Sequence, residues 1–142
     1  MARVLCVEDE DDLRADIVEE LVDAGHQVFP AANGEDGLRA VTEFRPDLII
    51  SDCLMPKMTG IELFRALHNR FPQFADTPFL FLSAHAEKSH VEEGLELGAD
   101  AYLTKPVDFD QLIAVVNTLL SNRAEDAGGS GGFSSDGLGA DE

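Results

Sequence analysis

Cationic side chains are scarce in this chain. Ten Lys and Arg face twenty-eight Asp and Glu, leaving a formal charge of −18 at pH 7. A surface that acidic repels the phosphates of nucleic acid and of anionic lipid alike, which disfavours direct DNA or RNA binding. Long apolar runs are missing as well. No stretch reaches the roughly 18 consecutive apolar residues of a membrane span. The N-terminus, Met1-Ala2-Arg3 ahead of a short apolar run, lacks the length and cleavage site of a secretory signal. A cytoplasmic location away from membranes is the expectation. Cysteine is limited to Cys6 and Cys53, far apart and without CxxC or Cys/His spacing. Neither a disulfide framework nor a zinc site is suggested, and both read as reduced small hydrophobes. What is present, 142 residues with 44% hydrophobic and 27% charged, has the make-up of one domain with a single core.

The composition changes near the C-terminus. Residues 124–142 hold six of the twelve glycines, five acids and no Lys or Arg, the make-up of a disordered solubilising or tethering segment. Upstream, short apolar runs alternate with longer amphipathic stretches, five of each, as in repeated βα units. The runs are Val4–Val7, Val28–Ala31, Leu48–Ser51, Phe79–Ser83 and Ala101–Thr104. Three of them are continuously apolar, as parallel strands covered on both faces are. Pro30 interrupts the second and, lacking an N–H, places it at a sheet edge.

Helical spacing follows each run. Leu13, Ile17, Val18, Leu21 and Val22 stop at Gly25, and Leu38, Val41 and Phe44 must end before Pro46. Thr59 and Glu62 predict a capping box ahead of Ile61, Leu63, Phe64 and Leu67. Val91 and Leu95 stop at Gly98, and Asp108 with Gln111 opens a last helix through Leu120. Right-handed crossovers make this an α/β chain: a (βα)5 doubly wound, open, parallel five-stranded sheet in the order 2-1-3-4-5, flavodoxin-like in topology.

Ligands of such sheets bind beyond the carboxyl ends of the strands. The first run ends in Glu8, Asp9 and Glu10, the third in Asp52, the fourth in Ser83, and the fifth in Thr104 and Lys105. The second ends in Ala32 and Asn33, with nothing chemically committed. Glu8, Asp9 and Asp52 converge, and like charges in a partly buried pocket repel unless a cation relieves them. With no histidine or thiolate nearby, a hard oxygen-ligated ion, Mg2+ or Mn2+, suits the cluster. Lys105 brings a second positive charge, Ser83 a hydroxyl donor, and a carboxylate is available as nucleophile, so the arrangement reads as a phosphoryl site.

Asp52-Cys53-Leu54-Met55-Pro56-Lys57-Met58-Thr59-Gly60 is similar to the D-x-x-M-P-x-M-x-G stretch of the response regulator receiver domain of two-component systems. Val4–Glu10, Ser83-Ala84, Gly98–Tyr102 and Lys105-Pro106 join it, so the chain resembles that family over residues 3 to about 121. The resemblance implies residues 1–122 as the receiver domain and 123–142 as a disordered Gly-rich acidic tail or linker, either of a stand-alone regulator with no output domain or of the receiver portion of a longer regulator. It implies that Asp52 accepts a phosphoryl group from a histidine kinase or histidine phosphotransfer protein. Glu8, Asp9, Asp52 and the main-chain carbonyl of Leu54 would hold Mg2+, and Ser83 and Lys105 would contact the phosphoryl oxygens. Tyr102 would turn inward as the switch aromatic, Lys105–Pro106 would be cis, and the fourth helix, fifth strand and fifth helix would bind a downstream partner. That face also leaves room for a homodimer.

Glu8 stands where Asp is commoner, lengthening one arm of the metal site by a methylene. Ser83 in place of Thr keeps the hydroxyl. Leu54 and His85 fall where the family tunes access of the hydrolytic water. The implied activity is signalling rather than enzymatic turnover, limited to the chain's own phosphorylation and dephosphorylation. A phosphohydrolase with an aspartyl nucleophile would carry an acid where Leu54 lies, and a flavin binder would need a hydroxyl- and glycine-rich loop in place of Glu8–Glu10. An intermediate phosphorelay carrier, or a degenerate receiver acting only by binding, are the alternatives of the same fold.

Overall fold

The computed structural model describes residues 2–55, 57–84 and 88–125, and its account of side chains leaves out those of 88–91 and 123–125. Five strands alternate with five helices: β1 Arg3–Val7, α1 Asp11–Asp23, β2 Gln27–Ala31, α2 Gly34–Phe44, β3 Leu48–Asp52, α3 Gly60–Arg70, β4 Phe79–Ser83, α4 Lys88–Leu97, β5 Ala101–Thr104 and α5 Phe109–Glu125. A short 3₁₀ turn, Pro72–Phe74, lies between α3 and β4. All pairings are parallel and the strand order is β2-β1-β3-β4-β5, as the alternation predicts.

The apolar runs split by strand pleat into two cores. Val4, Cys6, Leu48, Ile50, Leu80 and Leu82 face Ile17 and Leu21 of α1 and Leu112 and Val116 of α5. Leu5, Val7, Ile49, Phe79 and Phe81 face the other way, toward Val41 of α2 and Ile61, Leu63, Phe64 and Leu67 of α3. Continuous rather than alternating hydrophobicity was needed because both faces are covered. Cys6 and Cys53 fall in different cores, which rules them out as a redox pair. Burial, then the Glu8 carboxylate, pushes the Cys6 thiol up to about 12, far from a reactive thiolate.

Pro30 sits on the edge strand β2, opposite Cys6. Gln27 N–H donates to the Ala2 carbonyl, and the Ala31 carbonyl accepts from Glu8 N–H. Alternation along the strand therefore aims the Pro30 nitrogen away from β1, where a missing donor costs no ladder bond.

Local signals place the helix ends. Thr59 Oγ1 accepts from Glu62 N–H at 3.1 Å while Glu62 Oε1 accepts from Thr59 N–H at 2.9 Å, completing the capping box of α3. Asp108 Oδ1 accepts from Gln111 N–H at 3.1 Å at the start of α5. Gly25 and Gly98 take positive φ, 99° and 117°, just past α1 and α4, where a Cβ would be strained. Asn33, to which the sequence assigns no role, caps α2 by accepting from Asp36 N–H at 2.9 Å. α2 ends on Arg45 in the left-handed region, φ 50°, ahead of Pro46. Among the described residues no helix is long and apolar enough to cross a membrane. α5 runs to Glu125; residues 126–142, most of the expected tail, lie outside the described residues.

The capping box is directly testable. Thr59→Ala should cost about 1 kcal/mol and lower the melting temperature by about 4 °C, with Thr59→Ser near wild type. Equal melting curves for all three proteins would show that the box contributes nothing.

Candidate functional site

The strand order makes β1 and β3 neighbours, and their carboxyl ends carry the acids. One ligand oxygen from each of Glu8, Asp9 and Asp52 lies within 4.8 Å of the others. Glu8 is fully buried and Asp52 is 3% exposed, whereas Asp9 is exposed. Lys105, from the end of β5, reaches across with Nζ 2.6 Å from Asp52 Oδ1 and 3.3 Å from Glu8 Oε1.

That single ammonium does not satisfy two buried carboxylates. Glu8 Oε2 accepts from Glu10 N–H at 3.0 Å, but the buried Oε1 has no hydrogen-bond partner. Its contact with Lys105 is an ion pair without hydrogen-bond geometry. Burial, followed by the neighbouring Glu8, pushes the Asp52 carboxyl from 3.8 to about 8, with Lys105 pulling the other way. Burial works against the Lys105 charge, but Asp52 and Glu8 outweigh it and hold the ammonium above its usual 10.5. An orphaned buried carboxylate oxygen inside an all-oxygen cluster is what a hard divalent cation would satisfy, so the residues fit Mg2+.

The loops holding these groups are braced. Arg14 Nη1 donates to the Glu8 carbonyl at 2.8 Å and its Nη2 to Asp11 Oδ1 at 2.7 Å, clamping the turn between β1 and α1. Sequence reasoning missed Arg14; its signal is a lone cation six residues after Glu8 in an acidic stretch. After Asp52 the chain doubles back, with Gly60 N–H donating to the Cys53 carbonyl at 2.9 Å. A Cβ on Gly60 would stand 2.1 Å from the Asp52 carbonyl oxygen, so α3 can start against the strand end only with glycine there. Lys57, in the same loop, has φ 72°.

Ser83 is buried at the end of β4, and its carbonyl accepts from Lys105 N–H at 2.7 Å. The Lys105–Pro106 peptide is cis. Tyr102 lies on β5, 46% exposed, and the Leu54 side chain is 40% exposed. The structure thus gathers Glu8, Asp9, Asp52 and Lys105 into one pocket, sets Ser83 at the adjoining strand end, and leaves Tyr102 facing solvent. His85 lies outside the described residues.

Residues 4–117 match the family described as the response regulator receiver domain. The chain belongs to the response regulator receiver family. Curated relatives of this receiver include the transcriptional regulatory protein PcoR of Escherichia coli, 42% identical over 120 residues that cover 84% of this chain and 52% of PcoR. AfsQ1 of Streptomyces coelicolor is 36% identical over 135 residues, 95% of this chain and 58% of that protein. The receiver therefore spans about half the length of the curated relatives it matches. Among solved structures, the chemotaxis response regulator CheY4 of Vibrio cholerae aligns with TM-score 0.77 and 35% identity, covering 84% of this chain and 98% of that one. A Francisella receiver domain aligns with TM-score 0.78 and 32% identity, covering 87% and 99%. The flavodoxin-like topology read from the strand runs is that of these receivers, and an acidic pocket that binds Mg2+ is the family's property.

The buried acid pair sets a pH dependence in metal-free protein. Because folding raises the Asp52 pKa, the folded state binds the proton more tightly than the unfolded chain. This contribution is fully present below the ordinary carboxylate range and lost as pH rises through about 8. Asp52→Asn should therefore melt above wild type at pH 8, and the gap should close as pH falls toward 5. A gap independent of pH would sink this assignment.

Proposed function

We propose that this receiver is a phosphorylation-dependent switch that accepts a phosphoryl group on Asp52 from a histidine kinase or histidine phosphotransfer protein. In this reading Glu8, Asp9, Asp52 and the main-chain carbonyl of Leu54 hold Mg2+, for which Mn2+ substitutes. The observation that carries it is the buried Glu8–Asp52 pair, which shares the Lys105 ammonium and leaves Glu8 Oε1 without a hydrogen-bond partner. A bound dication supplies the missing neutralising charge for these acids and for the transferring group.

The chain's own residues do the rest. Asp52, once deprotonated, is the nucleophile: a carboxylate oxygen forms a bond to phosphorus as the donor's phosphorus–nitrogen bond breaks, and the electron pair leaves with the imidazole. Lys105 balances charge on the phosphoryl oxygens, and the Ser83 hydroxyl donates to one of them. The product is a mixed anhydride on a strand end, and its added charge biases the neighbouring elements. The response is inward rotation of Tyr102 and repacking of α4, β5 and α5 as the face that binds a downstream partner. The chain promotes only its own phosphorylation and dephosphorylation. Residues 1–122 act as the switching unit, and the acidic segment that follows α5 acts as a tether. With so acidic a surface, the receiver itself does not contact nucleic acid, whatever a further domain or partner does.

Intact mass after incubation with acetyl phosphate tests the reading. One phosphoryl group should appear with Mg2+, be lost with chelator or in Asp52→Asn, and be released by hydroxylamine. No adduct, together with no beryllofluoride binding in the presence of Mg2+, would leave a degenerate receiver that acts only by binding.

Tyr102 offers a second readout, because the chain has one tyrosine and no tryptophan. Beryllofluoride with Mg2+ should change tyrosine emission saturably in wild type and leave Asp52→Asn unchanged. Binding seen by calorimetry with constant emission would remove Tyr102 from the switch.

A further inference from the structure

α4 carries a glycine at its middle, where helix propensity disfavours it. The reason is on the opposite surface. A Cβ on Gly94 would lie 2.4 Å from Phe81 Cε2, 3.0 Å from Phe81 Cδ2 and 3.1 Å from Ile61 Cδ1. Phe81 has no room to retreat. It is fully buried, with its ring centroid 4.9 Å from that of Phe79 and 6.2 Å from that of Phe64. Its other edge is closed by α3, since a Cβ on Gly60 would stand 3.1 Å from Phe81 Cε1. One ring is therefore held between two helix glycines, and one of these, Gly60, also abuts the Asp52 carbonyl.

The far end of α4 is pinned. Ala99 N–H donates to the Gly94 carbonyl at 3.0 Å, and Asp100 exchanges bonds with Phe79, its N–H donating at 3.0 Å and its Oδ2 accepting at 2.9 Å. A side chain added at 94 could not be relieved by sliding that end. It would tilt the helix about its C-terminal anchor and lift the rest from β4, the strand on which Phe81 lies two residues before Ser83.

We propose that Gly94 and Phe81 form a size-matched pair that seats α4 on the sheet, and that through Phe81 this seat fixes the strand end bearing Ser83, making Gly94 a positioning residue for the phosphoryl site. The seat stands on geometry alone; its effect on the site rests on the function proposed above.

A double-mutant cycle in the full chain tests both halves, using Gly94→Ala, Phe81→Leu and the two together. Amide hydrogen exchange across 92–97 reads the seat, and the rate of Asp52 labelling by acetyl phosphate and Mg2+ reads the coupling. Gly94→Ala should speed exchange in α4 by about tenfold and slow labelling by at least about threefold, as a misplaced Ser83 hydroxyl would. Intrinsic propensity alone would move exchange the opposite way. Phe81→Leu opens space for the new methyl, so the double variant should return both readouts to within about twofold of Phe81→Leu alone. Unchanged or slower exchange in Gly94→Ala, or no relief by Phe81→Leu, overturns the pair. Faster exchange with unaltered labelling overturns the coupling and leaves a packing contact. If wild type takes no phosphoryl group, the proposed function and the coupling fall together, while exchange still decides the seat.

Discussion

Glu8 and Asp52 are buried side by side, with the Lys105 ammonium against both carboxylates and the Arg14 guanidinium on the Glu8 main-chain carbonyl. In water two carboxylates this close would be screened; beneath the strand ends burial and the Glu8 carboxylate raise the Asp52 pKa. Much of the surrounding structure answers that constraint. Lys105 must come from the far edge of the sheet, and the Ser83 carbonyl holds its main chain in place. Glu10 N–H takes one Glu8 oxygen, and Arg14 clamps the turn behind it. The Glu8 oxygen left without a hydrogen bond fits the pocket to a cation.

Packing supplies the means of transmission. The sheet separates a layer of α1 and α5, resting on aliphatic side chains, from a layer in which Phe64, Phe79 and Phe81 meet α3 and α4. Aromatic rings in a close-packed layer shift as units and do not yield by small amounts. Phe81 packs against Gly60, which abuts the Asp52 carbonyl, on one edge and against Gly94 of α4 on the other. The Asp100–Phe79 bonds hold the start of β4 to the turn that follows α4.

The chain covers about half of PcoR and AfsQ1 and nearly all of the Francisella and CheY4 receiver structures. The receiver fold carries two cores, one on each face of the sheet. Its acidity is spread over the strand ends and α1, where Asp11, Asp12, Asp16, Glu19, Glu20 and Asp23 lie. A partner approaching that side meets a strongly negative field, which favours basic surfaces and speeds their encounter at low ionic strength.

Much of this was legible from the residues in order. Each strand core, the order of the sheet, the edge position set by Pro30, the Thr59–Glu62 box and the acids with Lys105 at the strand ends all follow from signals local in sequence: apolar runs, periodicity, a missing N–H, a three-residue spacing. Asn33 and Arg45 were readable in principle, because caps are local too, yet Asn33 had no Glu or Gln three residues on to flag it. Other features had no local signature. The Arg14 clamp joins a side chain to a main-chain carbonyl, the orphaned Glu8 oxygen exists only once Lys105 is placed, and the solvent-facing Tyr102 depends on how α4 and α5 flank β5. Gly94 reads as a poor helix residue until Phe81 is seen beneath it. The sequence by itself determined which groups arrive at the carboxyl edge, since strand direction and pleat follow from short-range preference. Tertiary structure alone decided their distances, their burial and the contacts that brace them, because these arise between residues far apart in the chain and depend on how close the backbones come.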